Sequence, residues 1–151
     1  TKALKDTDEA KHKAICTEIR EDGAYVDAGE NDNLIVQKIS QNPKAIGVFG
    51  FSFLEENPDK LVGIPMAGIE PTYATISDFS YPGARPLYIY VKKAHLGAIK
   101  GLQEYVAEWV KSWGPDGLLK SKGMVISPED VRTKNAAVVS GMTVLDGAQL
   151  K

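Results

Sequence analysis

Two apolar segments limit most strongly what this chain can fold into: Ala45-Ile-Gly-Val-Phe-Gly-Phe-Ser-Phe53 and Tyr81-Pro-Gly-Ala-Arg-Pro-Leu-Tyr-Ile-Tyr-Val91. Both are rich in aromatic and β-branched residues, which suit a pleated, half-buried surface. The first predicts a strand from Ala45 to Phe53. Alternation puts Phe49, Phe51 and Phe53 on one face and Ser52 on the other, and Gly47 and Gly50 permit a bulge or a close backbone approach. In the second, Tyr81-Pro-Gly-Ala84 breaks the chain ahead of a strand over Leu87–Val91. A shorter strand is expected at Leu61–Met66.

Helical patterns surround these strands. Thr7 to Arg20 has a capping Thr7 or Asp8, acids at its start and an apolar side of Ala10, Ala14, Ile15 and Ile19. The polar stretch 27–33 suits a turn and then a cap for a helix from about Asn33 to Ser40, which would bury Leu34, Ile35, Val36 and Ile39. Asn42-Pro43 closes that helix. Pro71 marks the start of an irregular helix over Thr72–Phe79, with Ile76 and Phe79 inward. The clearest helical period is Leu96, Ile99, Leu102, Val106, Trp109, Val110 and Trp113, stopped by Gly114-Pro-Asp-Gly117. Ser127-Pro-Glu-Asp130 announces a last helix carrying Val131, Ala136, Val138 and Val139. The order of helices and strands predicts an α/β domain.

The chain has 151 residues, 43% of them apolar and 25% charged, as in an ordinary soluble domain. A chain of this size can bury roughly 70% of its unfolded surface, so a sizeable core is expected. Eighteen basic and twenty acidic residues form no long block of one sign, which argues against nucleic acid as a partner. No apolar run reaches the roughly 20 residues of a membrane span, so no membrane insertion is expected, and the first residues are too polar for a signal peptide.

Residue types that carry chemistry are sparse. His12 and His95 lack ligand-spaced partners, so no metal site is expected, and no phosphate loop, nucleophile elbow or zinc-protease helix is present. No catalytic residue and no cofactor is therefore assigned, and the chain reads as a non-enzyme. The 27–32 turn is acidic but lacks the alternating oxygens of a calcium loop, and Ser140-Gly-Met-Thr143 reads as a helix end rather than an anion nest. Ser52 is a filler or a polar handle on a cleft. Arg85, ahead of the second strand, is either a fork for a carboxylate or phosphate or a surface arginine, exposed or paired with Glu55 or Glu56. Cys16 reads as a buried apolar residue in a cytosolic protein; in a secreted one it calls for a partner elsewhere.

Taken in order, Gly-Val-Phe-Gly-Phe-Ser-Phe (47–53), Glu-Glu-Asn (55–57), Gly-Ile-Glu-Pro-Thr (68–72), Tyr-Pro (81–82), Arg-Pro-Leu-Tyr-Ile-Tyr-Val-Lys (85–92) and Trp-Gly-Pro-Asp-Gly (113–117) resemble the PstS-type phosphate-binding proteins of bacterial ABC transporters. Gly29-Glu-Asn-Asp-Asn-Leu-Ile-Val36 fits the same pattern. The resemblance implies a type II periplasmic binding protein-like α/β fold and a periplasmic receptor that clamps inorganic phosphate between two lobes and delivers it to an ABC transporter permease. Residues 1–82 would be the second lobe. Residues 83–151 would be a crossover strand and C-terminal helices returning toward the first lobe. Members of that family are about twice as long, and their main ligand motifs have no counterpart here. The resemblance therefore implies a C-terminal fragment that travels with a missing N-terminal half or self-associates, with Ser52 and Arg85 the only ligand candidates. It also implies a disulfide between Cys16 and an upstream cysteine, which the periplasm permits. A transferase on the same bilobal fold and a structural or adhesion module are the alternatives.

Overall fold

The computed structural model describes residues 2–149. Among the described residues the regular structure is nine α-helices and a closing 3-10 turn: α1 Lys2–Thr7, α2 Glu9–Cys16, α3 Asp32–Gln41, α4 Phe51–Glu56, α5 Tyr73–Ser77, α6 Lys93–Leu96, α7 Leu102–Ser112, α8 Leu118–Ser121, α9 Glu129–Gly141, then Gly147–Gln149. No strand forms among the described residues. Their single β-bridge is antiparallel and joins Met66 to Ile69. The predicted strands Ala45–Phe53, Leu61–Met66 and Leu87–Val91 are therefore corrected: 45–50, 61–65 and 85–92 are irregular connectors, and Phe51–Phe53 belongs to α4.

The physical reason is visible in the backbone. A strand is stable only when its N–H and C=O groups meet those of another strand. Among the described residues, no hydrogen bond reaches the backbone of 46–49 or 85–91, and in 62–65 only the Ile64 carbonyl accepts, from the Tyr81 hydroxyl at 3.1 Å. Two of these connectors nevertheless lie close against helices. A Cβ at Gly47 would sit 2.1 Å from Ile39 Cδ1, so this glycine lets the 45–49 backbone lie directly on α3. Gly63 approaches Pro71 and Leu54 of α4 in the same way. The outer side of the first connector stays open, with Ile46 77% and Val48 90% exposed.

Local capping explains the helix boundaries. Asp8 accepts from the Lys11 N–H at 2.9 Å and starts α2, so the helix expected over Thr7–Arg20 is the shorter Glu9–Cys16, and α1 precedes it over Lys2–Thr7. Asn31 caps α3, as the polar turn predicts. Thr72 and Thr75 form a reciprocal capping box on α5, which ends at Ser77; Phe79, expected inward, has φ 61° and is exposed. The long apolar period divides into α6 and α7 at Gly97–Gly101, where Gly101 takes φ 83°. α7 packs against α6, α8 and α9, leaving Trp109 and Trp113 half-buried. α9 ends in a left-handed Met142, whose N–H bonds to Val139 O, while Thr143 N–H bonds to Val138 O. The 140–143 segment is thus a helix end.

The expected sizeable core is absent from the described residues, where Val36 is the one buried hydrophobic and Leu34 is exposed. The chain presents 11,921 Å² to solvent, whereas a compact protein of 16.4 kDa exposes roughly 7,500 Å². Since an unfolded chain of this mass exposes roughly 23,800 Å², folding hides about half of the surface rather than 70%. The difference of about 4,400 Å² exceeds one partner's share of a typical obligate interface, which totals roughly 2,000–5,000 Å² over both partners.

One turn stores correctable strain. Between Met66 and Ile69, Ala67 (φ 53°) and Gly68 (φ 79°) form a two-residue turn with both residues left-handed, a geometry that favours Asn-Gly. Ala67→Asn is expected to stabilise the chain by about 0.5–1 kcal/mol, read as a rise in the urea midpoint; an unchanged or lower midpoint would rule out this turn geometry.

Candidate functional site

Ser52 lies in the first turn of α4, half-buried. The chain comes back over it at Gly123, where an added Cβ would be 2.5 Å from Ser52 Cβ, and Gly123 itself has φ 82°. Only glycine satisfies both the left-handed backbone and the close approach. Ser52 therefore sits beneath the 123 turn, on a helix rather than on a strand face. Arg85 is exposed on the 85–92 connector. The ion pairs among the described residues are Arg20 with Asp22 and Lys111 with Glu108, both exposed, so of the two surface readings of Arg85 the exposed one holds and the pairing with Glu55 or Glu56 does not form. No hydrogen bond or ion pair joins Ser52 to Arg85.

Cys16 ends α2 and is exposed, which corrects the reading of it as a buried apolar residue. His12 is half-buried on α2 and His95 exposed on α6. Among the described residues no group of three or more His, Cys, Asp or Glu is placed to hold a metal ion.

Open depressions on the described residues include two beside the helices. One is lined by Lys5, Glu9, Ala10, His12, Lys13 and Thr17 along α1 and α2. The other lies between α7 and α8, where Tyr105 and Trp109 meet edge to face at 6.2 Å beside Glu108, Leu118 and Leu119. Both are open to solvent. The titration shifts among the described residues also lie in exposed local contacts. Asp22 holds the Arg20 guanidinium above its ordinary value, and Arg20 holds the Asp22 carboxyl below its own. Ser80 lowers the Asp78 carboxyl by hydrogen bonding.

Structural ties that sequence reasoning missed hold the surroundings of Ser52. The half-buried Asp32 accepts from the Gly50 N–H at 3.2 Å, linking the starts of α3 and α4; in sequence it looks like one more acid of a solvated turn. Ser77 Oγ donates to Ile126 O at 2.7 Å, and the Ile126 N–H donates to the Tyr73 hydroxyl at 3.2 Å, fastening the 123–127 stretch to α5. These pairs are 49 and 53 residues apart, with no local pattern to reveal them.

With this arrangement in view, the matches to known proteins fall into place. The profile of the PBP superfamily domain matches residues 1–112, and the chain belongs to that family. Its resemblance to PstS-type sequences, expected from the ordered motifs, is borne out. Residues of this chain are 36% identical over 102 positions to the phosphate-binding protein PstS of Staphylococcus haemolyticus, covering 64% of this chain and 32% of that protein. The corresponding protein of Staphylococcus saprophyticus is 42% identical over 79 residues, 49% of this chain and 25% of its own length. That of Staphylococcus aureus USA300 is 34% identical over 102 residues, 64% of this chain and 31% of its own. The chain thus spans a third or less of the length of these curated relatives. No solved structure matches it. Family membership supports a periplasmic binding protein-like fold, while the strands of the type II α/β form are missing among the described residues.

Proposed function

We propose that residues 1–151 are part of a longer phosphate-binding receptor that captures inorganic phosphate between two lobes and delivers it to an ABC transporter permease in the periplasmic or extracellular space. The observation that carries this reading is the 36% identity over 102 residues to a protein named for phosphate binding, within a chain that belongs to the PBP superfamily. Relatives of that kind are named as phosphate-binding proteins. Among the described residues, no helix is long and apolar enough to cross a membrane.

The division into a second lobe, 1–82, and a returning segment, 83–151, belongs to the same proposal. Its support is the excess surface of about 4,400 Å², which a further lobe would cover. Ser52 and Arg85 are the ligand candidates of this portion, with the other donors supplied by the rest of the receptor, and Cys16 is the proposed disulfide site to an upstream cysteine. Calorimetric titration of the longer protein with phosphate tests the reading. Saturable binding is expected, and no heat of binding from a folded, two-lobed protein would refute it. The alternative, a structural or adhesion module on the same fold, draws on the exposed apolar residues of 87–91; it gains if the longer protein fails to bind any oxyanion.

A further inference from the structure

The later helices keep to themselves. α6, α8 and α9 pack on α7, and none of these four packs against α3, α4 or α5. Apart from the local turn in which the Ala84 N–H donates to Tyr81 O, the hydrogen bonds that join the described residues of 31–82 to those of 83–149 fall on one residue, Ile126. Ser77 Oγ donates to the Ile126 carbonyl at 2.7 Å, and the Ile126 N–H donates to the Tyr73 hydroxyl at 3.2 Å. Tyr73 and Ser77 stand at the two ends of α5, one helical turn apart, so one face of that helix grips both backbone groups of Ile126 as a neighbouring strand would. All three residues are half-buried.

The chain on either side of Ile126 is bound to the later helices. The N–H groups of Gly123 and Met124 donate to Lys120 O and Leu119 O and close α8, while Arg132 of α9 donates to Ser127 O. Segment 123–127 thus travels with α8 and α9, and Ile126 is its anchor on α5. Just ahead of that anchor, Gly123 lies close over Ser52. Lifting this turn requires the release of two side-chain hydrogen bonds and a glycine contact, with no helix-on-helix packing to undo. Openings of that limited extent precede global unfolding. We propose that Tyr73 and Ser77 form a latch on Ile126 that holds the 123 turn closed over Ser52, and that its release uncovers the Ser52 hydroxyl. The inference rests on the reading of Ser52 as a ligand candidate and adds what controls access to it.

Thiol labelling of the 151-residue chain tests the latch. In a Cys16→Ser background, Ser52→Cys reports the cover, and Val36→Cys, at the buried hydrophobic of α3, reports unfolding of the whole. The double change Tyr73→Phe/Ser77→Ala removes both hydroxyls from Ile126; it is expected to speed iodoacetamide labelling at position 52 about tenfold and to leave labelling at position 36 unchanged. Ser77→Thr alone keeps a hydroxyl on α5 and should leave both positions slow. Unchanged labelling at 52 in the double variant, or equal acceleration at 52 and 36, would overturn the proposal. No phosphate enters the measurement, so failure of the latch and failure of phosphate binding are read separately.

Discussion

Phosphate titrated into residues 1–151 alone is expected to bind more weakly than about 1 mM, even though the receptor we propose for the longer protein binds it. Submicromolar affinity requires more than about 8 kcal/mol. Hydrogen bonds to a charged group contribute about 1.5–3 kcal/mol each. One hydroxyl from Ser52 and a two-pronged contact from Arg85 would supply about 5–9 kcal/mol before costs. Lost translational and rotational freedom removes at least about 4 kcal/mol of that, and Arg85 is exposed, so water and salt weaken its share. The two residues also lie in different settings, one beneath the 123 turn and the other on an open connector. Calorimetry on this chain with phosphate, against buffer alone, reads the outcome directly. Submicromolar binding would show that a complete anion site exists within these residues and would remove the need for a second lobe.

Gly117→Ala is expected to cost about 2–4 kcal/mol, enough to unfold much of the population of a chain with so thin a core. Gly117 closes the turn from α7 into α8, its N–H bonded to Gly114 O at 2.9 Å. An added Cβ would stand 2.2 Å from Ser112 O, 2.6 Å from Ser112 C and 2.7 Å from Lys111 O. All three are backbone atoms, so no side-chain rotation relieves the clash. The turn must open, which withdraws Leu118 and Leu119 from Tyr105 and Trp109. Gly97→Ala is the control: its φ of −88° and ψ of −19° suit alanine, and no atom lies within 4 Å of the added Cβ. That change is expected to stabilise by about 0.4–1 kcal/mol through the unfolded state. Urea unfolding followed by circular dichroism separates the two, and similar midpoints for both variants would refute the account of the turn.

The connection between these predictions is the unequal legibility of the chain. That a residue of the 27–33 stretch caps α3 was legible, though not that it is Asn31, because a cap side chain and an N–H three residues on, here Leu34, interact whatever surrounds them. The end of α9 was evident for the same reason. The start of α4 was not, because Phe51, Ser52 and Phe53 satisfy strand alternation and short-helix packing equally well, and the choice depends on the tie between Asp32 and Gly50. Ser52 could be singled out as a polar residue among aromatics, but its cover by Gly123, 71 positions later, carries no sequence signal. The ordered PstS-like motifs identified the family even so, since they record the identities of residues and not their partners.

What the residues decide by themselves are the interactions that span one turn: caps at Asp8, Asn31 and Thr72, the stop at Gly114–Gly117, and apolar faces suited to helices or strands. Whether 45–50, 61–65 and 85–92 become strands was decided only by tertiary structure. A helix satisfies its backbone within its own segment, while a strand borrows its hydrogen bonds from another. The glycines at 47 and 63 press two of these segments onto α3 and α4, but no described segment supplies the edge that would complete a sheet.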